Sequence, residues 1–576
     1  MKTGSIFVKK NTFKRKVGPD RFEQAASTAL PNTGDFVMPQ QLFRTDDDKV
    51  GLMLITEILA RNARMYADEI ALIERDPARN HRAAITWLAF DHQANQLAHA
   101  LLASGLRPKE RVVHLMTNCI EWLPIYFGIL RGGLMAVPLN FRFTAETIQS
   151  CAALAEARVI IFGPEFIERI AAIKPVLDRT VGLYIFVGPE NLRPAYAWAY
   201  PEFIKDRPDF APEVEIDVCD DAALYFTSGT TGTPKGALLT HRNLEAACIV
   251  ENHHHRQTHA DNFLCIPPLY HTGAKMHWFG NFIVGAKAVI LKGIEPRWIL
   301  EAVSEEQITV VWLLVPWAMD ILFAIESGDL RLRDFKLDQW RLMHIGAQPV
   351  PSSLIREWRK IFPHHQYDTN YGLTESTGPG CVHLGLENMH KVGAIGVPGF
   401  DWEFRIVDDQ LQSVPAGKPG ELIIKGPGVM KAYYRNPEAT AQALKNGWLL
   451  TGDIARLDDE GFIWLVDRKK DVIITGGENV YPVEIEEFLQ NHPKIQDVAV
   501  IGLPSQRLGE LASAIIKVKP GQSLTKEEIQ AFCEALPRYK RPRKIFFDDV
   551  PRNPTGKIEK PKLREKFGGA KESFQI

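Results

Sequence analysis

The chain has 576 residues, 45% hydrophobic and 24% charged, with 42 Gly and 37 Pro, which excludes a disordered, collagen-like or disulfide-scaffold protein. At roughly 100–200 residues per domain, its length calls for about three or four domains. Lys and Arg number 68 against 70 Asp and Glu, a formal charge of −2, so charge gives no whole-chain reason to expect nucleic-acid or membrane binding.

The first 16 residues carry six Lys or Arg but lack the apolar stretch of a secretory signal. They read as a solvated tail with at most peripheral membrane contact. No stretch of about 18 apolar residues occurs, the best, 310–325, being broken by Pro316 and Asp320. The seven Cys form no C-x-x-C pair and read as reduced, mostly buried thiols. A cytoplasmic setting is expected.

Short β-branched runs alternate with helix-length segments, the pattern of an α/β protein. In chain order the apolar pattern predicts strands at 112–116, 135–139, 159–162, 183–187, 223–226, 310–315 and 342–345, with helices over 122–131 and from about 165. Near residue 400 the rhythm changes to turn-linked strands at 421–425, 448–450, 454–457 and 462–466, a small β-barrel lobe. Beyond the charged run 467–471, helices at 483–490 and 526–535 and strands at 498–501, 514–518 and 544–547 suit a separate α+β domain. The expected division is an extension (1–50), a large multi-lobed domain (51–469) and a small mobile domain (470–576).

The strongest local signal is Tyr225-Phe226-Thr227-Ser228-Gly229-Thr230-Thr231-Gly232-Thr233-Pro234-Lys235-Gly236. Its glycines let backbone N–H groups turn toward an anion, its hydroxyls add donors and Lys235 adds a point charge, a combination suited to gripping a polyphosphate. It is not a Walker A loop, since Pro234 stands where that motif needs its second glycine. Further along, Tyr371-Gly372-Leu373-Thr374-Glu375 combines an aromatic ring, a small residue, a hydroxyl and a hard carboxylate oxygen suited to Mg²⁺. Asp453, in Thr451-Gly452-Asp453, can accept hydrogen bonds from vicinal hydroxyls, although a turn cap is the commoner use of such an Asp.

Together with Asp467-Arg468-Lys469-Lys470-Asp471, Gly476-Gly477-Glu478-Asn479 and Pro554-Thr555-Gly556-Lys557, these motifs stand in the order found in the AMP-forming adenylate-forming enzymes. The chain resembles that family, and specifically its acyl-CoA synthetases, over about residues 55–567. The resemblance implies ATP-dependent conversion of a carboxylic acid to acyl-AMP with release of pyrophosphate, then transfer to CoA. The cofactors implied are ATP/AMP, Mg²⁺ and coenzyme A. The acid implied is fatty, aromatic or alicyclic, nucleic acid is not an expected partner, and a homodimer is allowed for. Alternatives are an acyl-AMP ligase that loads a carrier protein, or an inactive nucleotide-binding homologue.

Carried onto this sequence, the resemblance assigns Thr227, Ser228, Gly229, Thr230, Thr231, Gly232 and Lys235 to the phosphates. Glu375, with Thr227, goes to the metal and Thr374 to the α-phosphate. Gly346, Ala347, Gln348, Asn370, Tyr371 and Gly372 form the adenine slot, Asp453 holds the ribose, and Arg468 reaches the ribose or phosphate. Lys470 is the hinge, and Gly476 and Gly477 line the pantetheine tunnel. His271 closes over ATP and carboxylate, and Lys557 is the catalytic cation of adenylation. Read alone, His271 would be a packed loop histidine and Lys557 a solvated lysine in 538–566, where 11 Lys or Arg face 4 Asp or Glu. That net +7 leaves −9 on the remainder, and assigns the basic side to the lid that meets anionic ATP and CoA.

Among candidate acyl-pocket groups are Trp278, Phe279, Trp312 and Trp317, while Lys275 reads either as a polar pocket group or as solvent-facing. The run His253-His254-His255 reads as a partly exposed helix or loop, because consecutive helical residues point in different directions.

Overall fold

Runs such as Val159-Ile160-Ile161-Phe162 are buried at every residue, as strands of a parallel sheet covered on both faces must be. The computed structural model describes residues 53–227, 234–346, 350–476, 478–552 and 557–568. Two large sheets build most of the N-terminal domain. The first has eight strands in the order 432–433, 235–240, 221–227, 135–138, 111–115, 159–162, 183–186 and 198–199. It is parallel from 221–227 outward and antiparallel at the edge, where 235–240 pairs with 221–227 and with 432–433. The second has seven strands in the order 366–368, 342–346, 310–314, 262–265, 287–291, 70–76 and 81–86, antiparallel only at 70–76 with 81–86.

The helix Trp122–Arg131 is buried at all ten positions, as an all-round apolar helix must be. Gly128 explains how closely it lies on the helix Trp87–Ala103, since a Cβ there would stand 2.8 Å from Ala94 O and 2.9 Å from Leu97 Cβ. The helix His241–His255 is started by a reciprocal cap in which Thr240 Oγ1 accepts from Asn243 N and Asn243 Oδ1 accepts from Thr240 N.

A three-stranded sheet (370–373, 378–383, 397–398) and an antiparallel lobe built on Glu403–Val407, Gly420–Lys425, Trp448–Leu457 and Ile463–Arg468 complete the domain. The two strands expected at 448–450 and 454–457 are one strand. The Thr-Gly-Asp signal for a turn is a local irregularity in it, with Gly452 at φ +70° and a register shift between Ile454 and Ala455. At the other sheet, Val315 opens a helix, Val315–Glu326, instead of closing the strand, with Pro316 in its first turn where no N–H is needed.

The C-terminal domain is a mixed sheet in the order 478–480, 473–475, 509–518 and 495–505, with 544–547 parallel to 509–518. One face packs on Ile485, Leu489 and Ile529 of the helices Pro482–Gln490 and Lys526–Phe532. The other packs Ile501, Leu503 and Ile515 on Val550 and on Leu563 of the helix Lys560–Gly568. The expected helix 526–535 finishes as a 3₁₀ turn from Cys533. Among the described residues no helix is long and apolar enough to cross a membrane.

The basic stretch 538–566 is less free than its charge suggests. Arg552 pairs with Asp497 at 2.7 Å, Lys560 with Glu486 at 3.0 Å, Arg564 with Asp471 at 2.7 Å and Lys562 with Glu559 at 2.6 Å, while Lys540 pairs with Glu484. Much of the +7 is therefore balanced inside the lid or at its root.

Candidate active site

The two strands that flank the phosphate-loop motif pair antiparallel, with Thr227 opposite Lys235. Ser228, Gly229, Thr230, Thr231 and Gly232 lie outside the described residues, as do Ala347, Gln348 and Gly477. Thr227 and Lys235 thus mark the two ends of the loop, the Thr227 hydroxyl 3.5 Å from Lys235 O.

Beyond Lys235 stands a residue that no sequence motif singled out. Tyr433 donates its hydroxyl to Glu375 Oε1 at 2.7 Å, and the Lys235 ammonium lies 5.3 Å from the centre of its ring. The edge pairing of 432–433 with 235–240 delivers it there. Burial and the Glu375 charge push the phenol's pKa upward, so it remains a donor, and it leaves Glu375 Oε2 to meet a cation. A carboxylate oxygen and a hydroxyl are both donors that a hard ion accepts, so Glu375 and Thr227 have the chemistry that suits Mg²⁺.

Thr374 begins the 3₁₀ turn Thr374–Ser376 and shares a small pocket with His271, Thr272, Tyr225 and Asn140. His271 caps the helix Thr272–Phe282, its Nδ1 accepting from Gly273 N at 3.1 Å. Burial, then the nearby charges of Lys557 and Lys275, lower its pKa to about 3. It is a neutral imidazole at pH 7, with Nε2–H free by tautomer to donate to a carboxylate or phosphate oxygen.

Asp453 and Arg468 face one another across neighbouring strands, Arg468 Nε 2.9 Å from Asp453 Oδ1. The Tyr371 hydroxyl donates to Asp453 Oδ2. Both oxygens of this buried carboxylate are engaged, but each has a second lone pair for a hydroxyl ligand. Gly372 follows in the same strand, 370–373. The Asn370 amide donates from Nδ2 to Glu251 Oε1 at 3.0 Å, and its Oδ1 lies 3.3 Å from His277 Nε2 and 4.0 Å from where a Cβ on Gly346 would stand. Gly346 ends the neighbouring strand, with Trp312 Nε1 3.9 Å from where its Cβ would stand.

Lys557 brings the last motif to the same corner. Its side chain is exposed to solvent, with protein gathered around it closely enough to weaken hydration of the ammonium. That desolvation, with Arg468 and Lys470 as neighbouring cations, outweighs Asp453 and Glu375 and lowers its pKa to about 8. Lys470 lies in an exposed turn, with Asp471 beside it paired to Arg564. Gly476 adopts φ +60° and donates to Leu508 O at 2.8 Å, a conformation that favours glycine.

The aromatic candidates divide. Trp278 and Phe279 pack with Phe282 and Phe127 in the core, and Trp317 is also buried. Trp312 instead stacks on His277 at 4.1 Å and approaches within 3.2 Å of a Cβ built on Gly273, so it walls the space beside His271. Lys275 is neither solvent-facing nor hydrogen-bonded. It is fully buried, and its ammonium lies 4.2, 5.0 and 5.6 Å from the ring centres of Tyr225, Tyr126 and Trp122.

Charged groups from distant parts of the sequence thus lie near one another: Lys235 beside Tyr433, Tyr433 on Glu375, and Lys557 within the electrostatic reach of Glu375, Asp453 and Arg468. Such a grouping of cations, carboxylates and hydroxyls suits an enzyme that handles a nucleotide. The chain belongs to the AMP-binding enzyme family, whose sequence profile matches residues 59–434, and the AMP-binding enzyme C-terminal domain matches 484–557. It is 32% identical to a feruloyl-CoA synthase of Amycolatopsis over 512 residues, 88% of this chain and 98% of that protein. It is 30% identical to a medium-chain fatty-acid–CoA ligase of Escherichia coli, covering 92% and 97% of the two chains. Among solved structures, an anthranilate CoA ligase in complex with anthranoyl-AMP superposes with a TM-score of 0.81 at 26% identity, covering 89% of this chain and 97% of that one.

Proposed function

We propose that this chain is an acyl-CoA synthetase: it activates an apolar carboxylic acid, fatty, aromatic or alicyclic, with ATP and passes the acyl group to CoA. The observation that carries this reading is the convergence of Lys557 with Glu375, Asp453 and Arg468, which makes one charged corner from both domains. Relatives named as feruloyl-CoA, fatty-acid–CoA and indoleacetate–CoA ligases support it.

A carboxylate is a poor acyl donor because its oxygen leaves badly. In the first step a carboxylate oxygen attacks the α-phosphorus of ATP, the bond to pyrophosphate breaks, and an acyl-AMP anhydride forms. Lys557 supplies positive charge where it builds on the equatorial oxygens, Lys235 and the loop N–H groups hold the outgoing phosphates, and Thr374 steadies the α-phosphate. His271 donates from Nε2 to the attacking acid and holds it in line. Glu375 and Thr227 would hold Mg²⁺, which when bound neutralises phosphate charge. Asp453, kept in place by Tyr371 and Arg468, takes the ribose. In the second step the CoA thiolate attacks the acyl carbonyl and AMP leaves.

Lys557 occupies the ground that CoA must reach. We therefore place a hinge at Lys470, about which residues 470–576 turn against 51–469 to withdraw Lys557 and bring Gly476 and Gly477 to the thiol path. The test is to incubate the chain with ATP, Mg²⁺, CoA and a panel of carboxylic acids, measuring AMP, pyrophosphate and thioester. Equal yields of all three with at least one acid are expected. AMP without thioester would make the chain an acyl-AMP ligase, and no AMP with any acid would overturn the reading.

A further inference from the structure

Behind the wall formed by Trp312 and His277 lies a group of five fully buried ionisable side chains, Glu251, His255, His344, Asp368 and His383. The proposed reaction uses none of them. Glu251 and His255 stand four apart on one face of the helix His241–His255. His344 and Asp368 are register partners on neighbouring parallel strands, and His383 ends the strand Gly378–His383.

The hydrogen bonds of this group are distributed unevenly. Its outer atoms are satisfied except His383 Nε2, which makes no hydrogen bond and lies 3.4 Å from Glu251 Oε1. His255 Nε2 lies 2.7 Å from Asp368 Oδ2, which His383 Nδ1 also reaches at 3.1 Å, and Asp368 Oδ1 accepts from Gly385 N at 2.8 Å. Glu251 Oε1 accepts from Asn370 Nδ2 at 3.0 Å. The inner atoms are not: both ring nitrogens of His344 are buried without a hydrogen-bond partner, and so are Glu251 Oε2 and His255 Nδ1, which approach only one another, as an ion pair at 3.4 Å. Such orphaned polar atoms are rare in native interiors and call for a missing partner.

The inner atoms also converge, since Glu251, His255 and His344 each offer one ligand atom and these lie within 4.8 Å of one another. The separation of His255 Nδ1 and Glu251 Oε2, 3.4 Å, matches the edge of a tetrahedron with bonds of about 2.1 Å. The outer hydrogen bonds are those that prepare ligands. Donation from His255 Nε2–H to Asp368 fixes the tautomer that leaves a lone pair on Nδ1, the arrangement of a carboxylate supporting a metal-binding histidine.

We propose that Glu251, His255 and His344 bind a Zn²⁺ ion whose fourth, tetrahedral position is filled by a water molecule, with Asp368 orienting His255. Two imidazole nitrogens and one carboxylate oxygen suit zinc better than the hard cations, which prefer all-oxygen sets. The ion ties the helix His241–His255 to the strand that ends at Gly346, and so fixes the wall on which Trp312 and His277 stack. His254 and His253 take no part, stacking on His383 and Phe400 instead.

The test uses full-length protein without a histidine tag, expressed with added zinc and dialysed against metal-free buffer. Elemental analysis is expected to find about one zinc per chain, and replacement by Co²⁺ to give the visible absorption of a tetrahedral site. His344→Gln should lose both signals, and Asp368→Asn, which keeps all three ligands, should weaken zinc affinity by about 10–100-fold in chelator competition. Should His344→Gln fail to fold, stoichiometry and Co²⁺ absorption of the parent chain and the affinity of Asp368→Asn still decide. A parent chain with neither zinc nor cobalt absorption would overturn the proposal and leave these groups as imidazolium–carboxylate pairs. Full zinc in folded His344→Gln, or an affinity that Asp368→Asn does not change, would overturn it as well.

Discussion

Replacing Lys557 by Ala removes an ammonium of the lid that feels the charges of Glu375, Asp453 and Arg468. Loss of a single donor that meets charge developing in a transition state costs about 2.7–4 kcal/mol, a factor of about 10²–10³. Pyrophosphate release should fall by that amount, while thioester formation from supplied acyl-AMP and CoA stays within about threefold, because the lid has then turned Lys557 away. The structure adds a pH signature. With a pKa of about 8, the ammonium is about nine-tenths charged at pH 7 and about one-tenth at pH 9. A cation is required, so kcat/KM for adenylate formation, which reports the free enzyme, should drop about tenfold as pH rises through 8. Lys557→Arg, whose guanidinium stays charged, should flatten that drop even if its rate at pH 7 is lower. Equal losses in both half-reactions for Lys557→Ala, or an unchanged pH profile in Lys557→Arg, would refute the reasoning.

Other consequences are as direct. Tyr433→Phe removes the hydrogen bond that positions Glu375; at about 1.5–3 kcal/mol for a bond to a charged group, kcat/KM for ATP should fall about 10–100-fold, the deficit shrinking as Mg²⁺ is raised, and no change would dismiss Tyr433 as a positioning residue. Lys275→Met keeps the volume of a side chain whose pKa burial holds well below its usual value. Because the unfolded chain then binds the extra proton, Lys275 lowers stability as pH falls below 10.5, by up to about 1.4 kcal/mol per pH unit until the folded-state pKa is reached. The variant should melt higher at pH 7 and show a shallower rise of stability between pH 7 and 10, and a lower melting temperature would contradict the buried, unpaired amine. Gly273→Val puts methyl groups where a Cβ alone already lies 3.2 Å from Trp312 and 3.1 Å from His271. The KM for bulky acids should rise at least tenfold while the shortest acid accepted keeps its pyrophosphate release, and a uniform loss would place this wall away from the acyl group.

Residues whose chemistry is declared by a local pattern were legible before the structure. Thr227 and Lys235 flank a run of glycines and hydroxyls, Asp453 and Arg468 belong to separate motifs that an antiparallel register sets face to face, and the alternation of apolar runs with helix-length segments is the physical signature of stacked sheets and helices. Groups assembled only by tertiary pairing were not. Tyr433 reaches Glu375 because a two-residue edge strand joins the sheet, and nothing near it in sequence marks that. The helix Thr272–Phe282 is buried at every residue, so no amphipathic face showed whether Lys275 pointed to water or to a cage of rings. The histidine run gave its helix but not its environment: His255 enters the buried carboxylate group while its two neighbours stack on rings at the rim. Asn370, read with the adenine slot, also holds Glu251 and His277 through its amide, partners 93 or more residues away in sequence.

The claim on which all of this rests is that the carboxylate of the substrate itself becomes joined to the α-phosphorus. Supplying an accepted acid labelled with ¹⁸O in both carboxylate oxygens, together with ATP, Mg²⁺ and CoA, and weighing the products by mass spectrometry tests it directly. In the sequence of bonds described above, thiolysis leaves one labelled oxygen behind on the phosphate of AMP, with none in pyrophosphate. Unlabelled AMP, or label released in orthophosphate beside ADP, would mean that activation proceeds by another route.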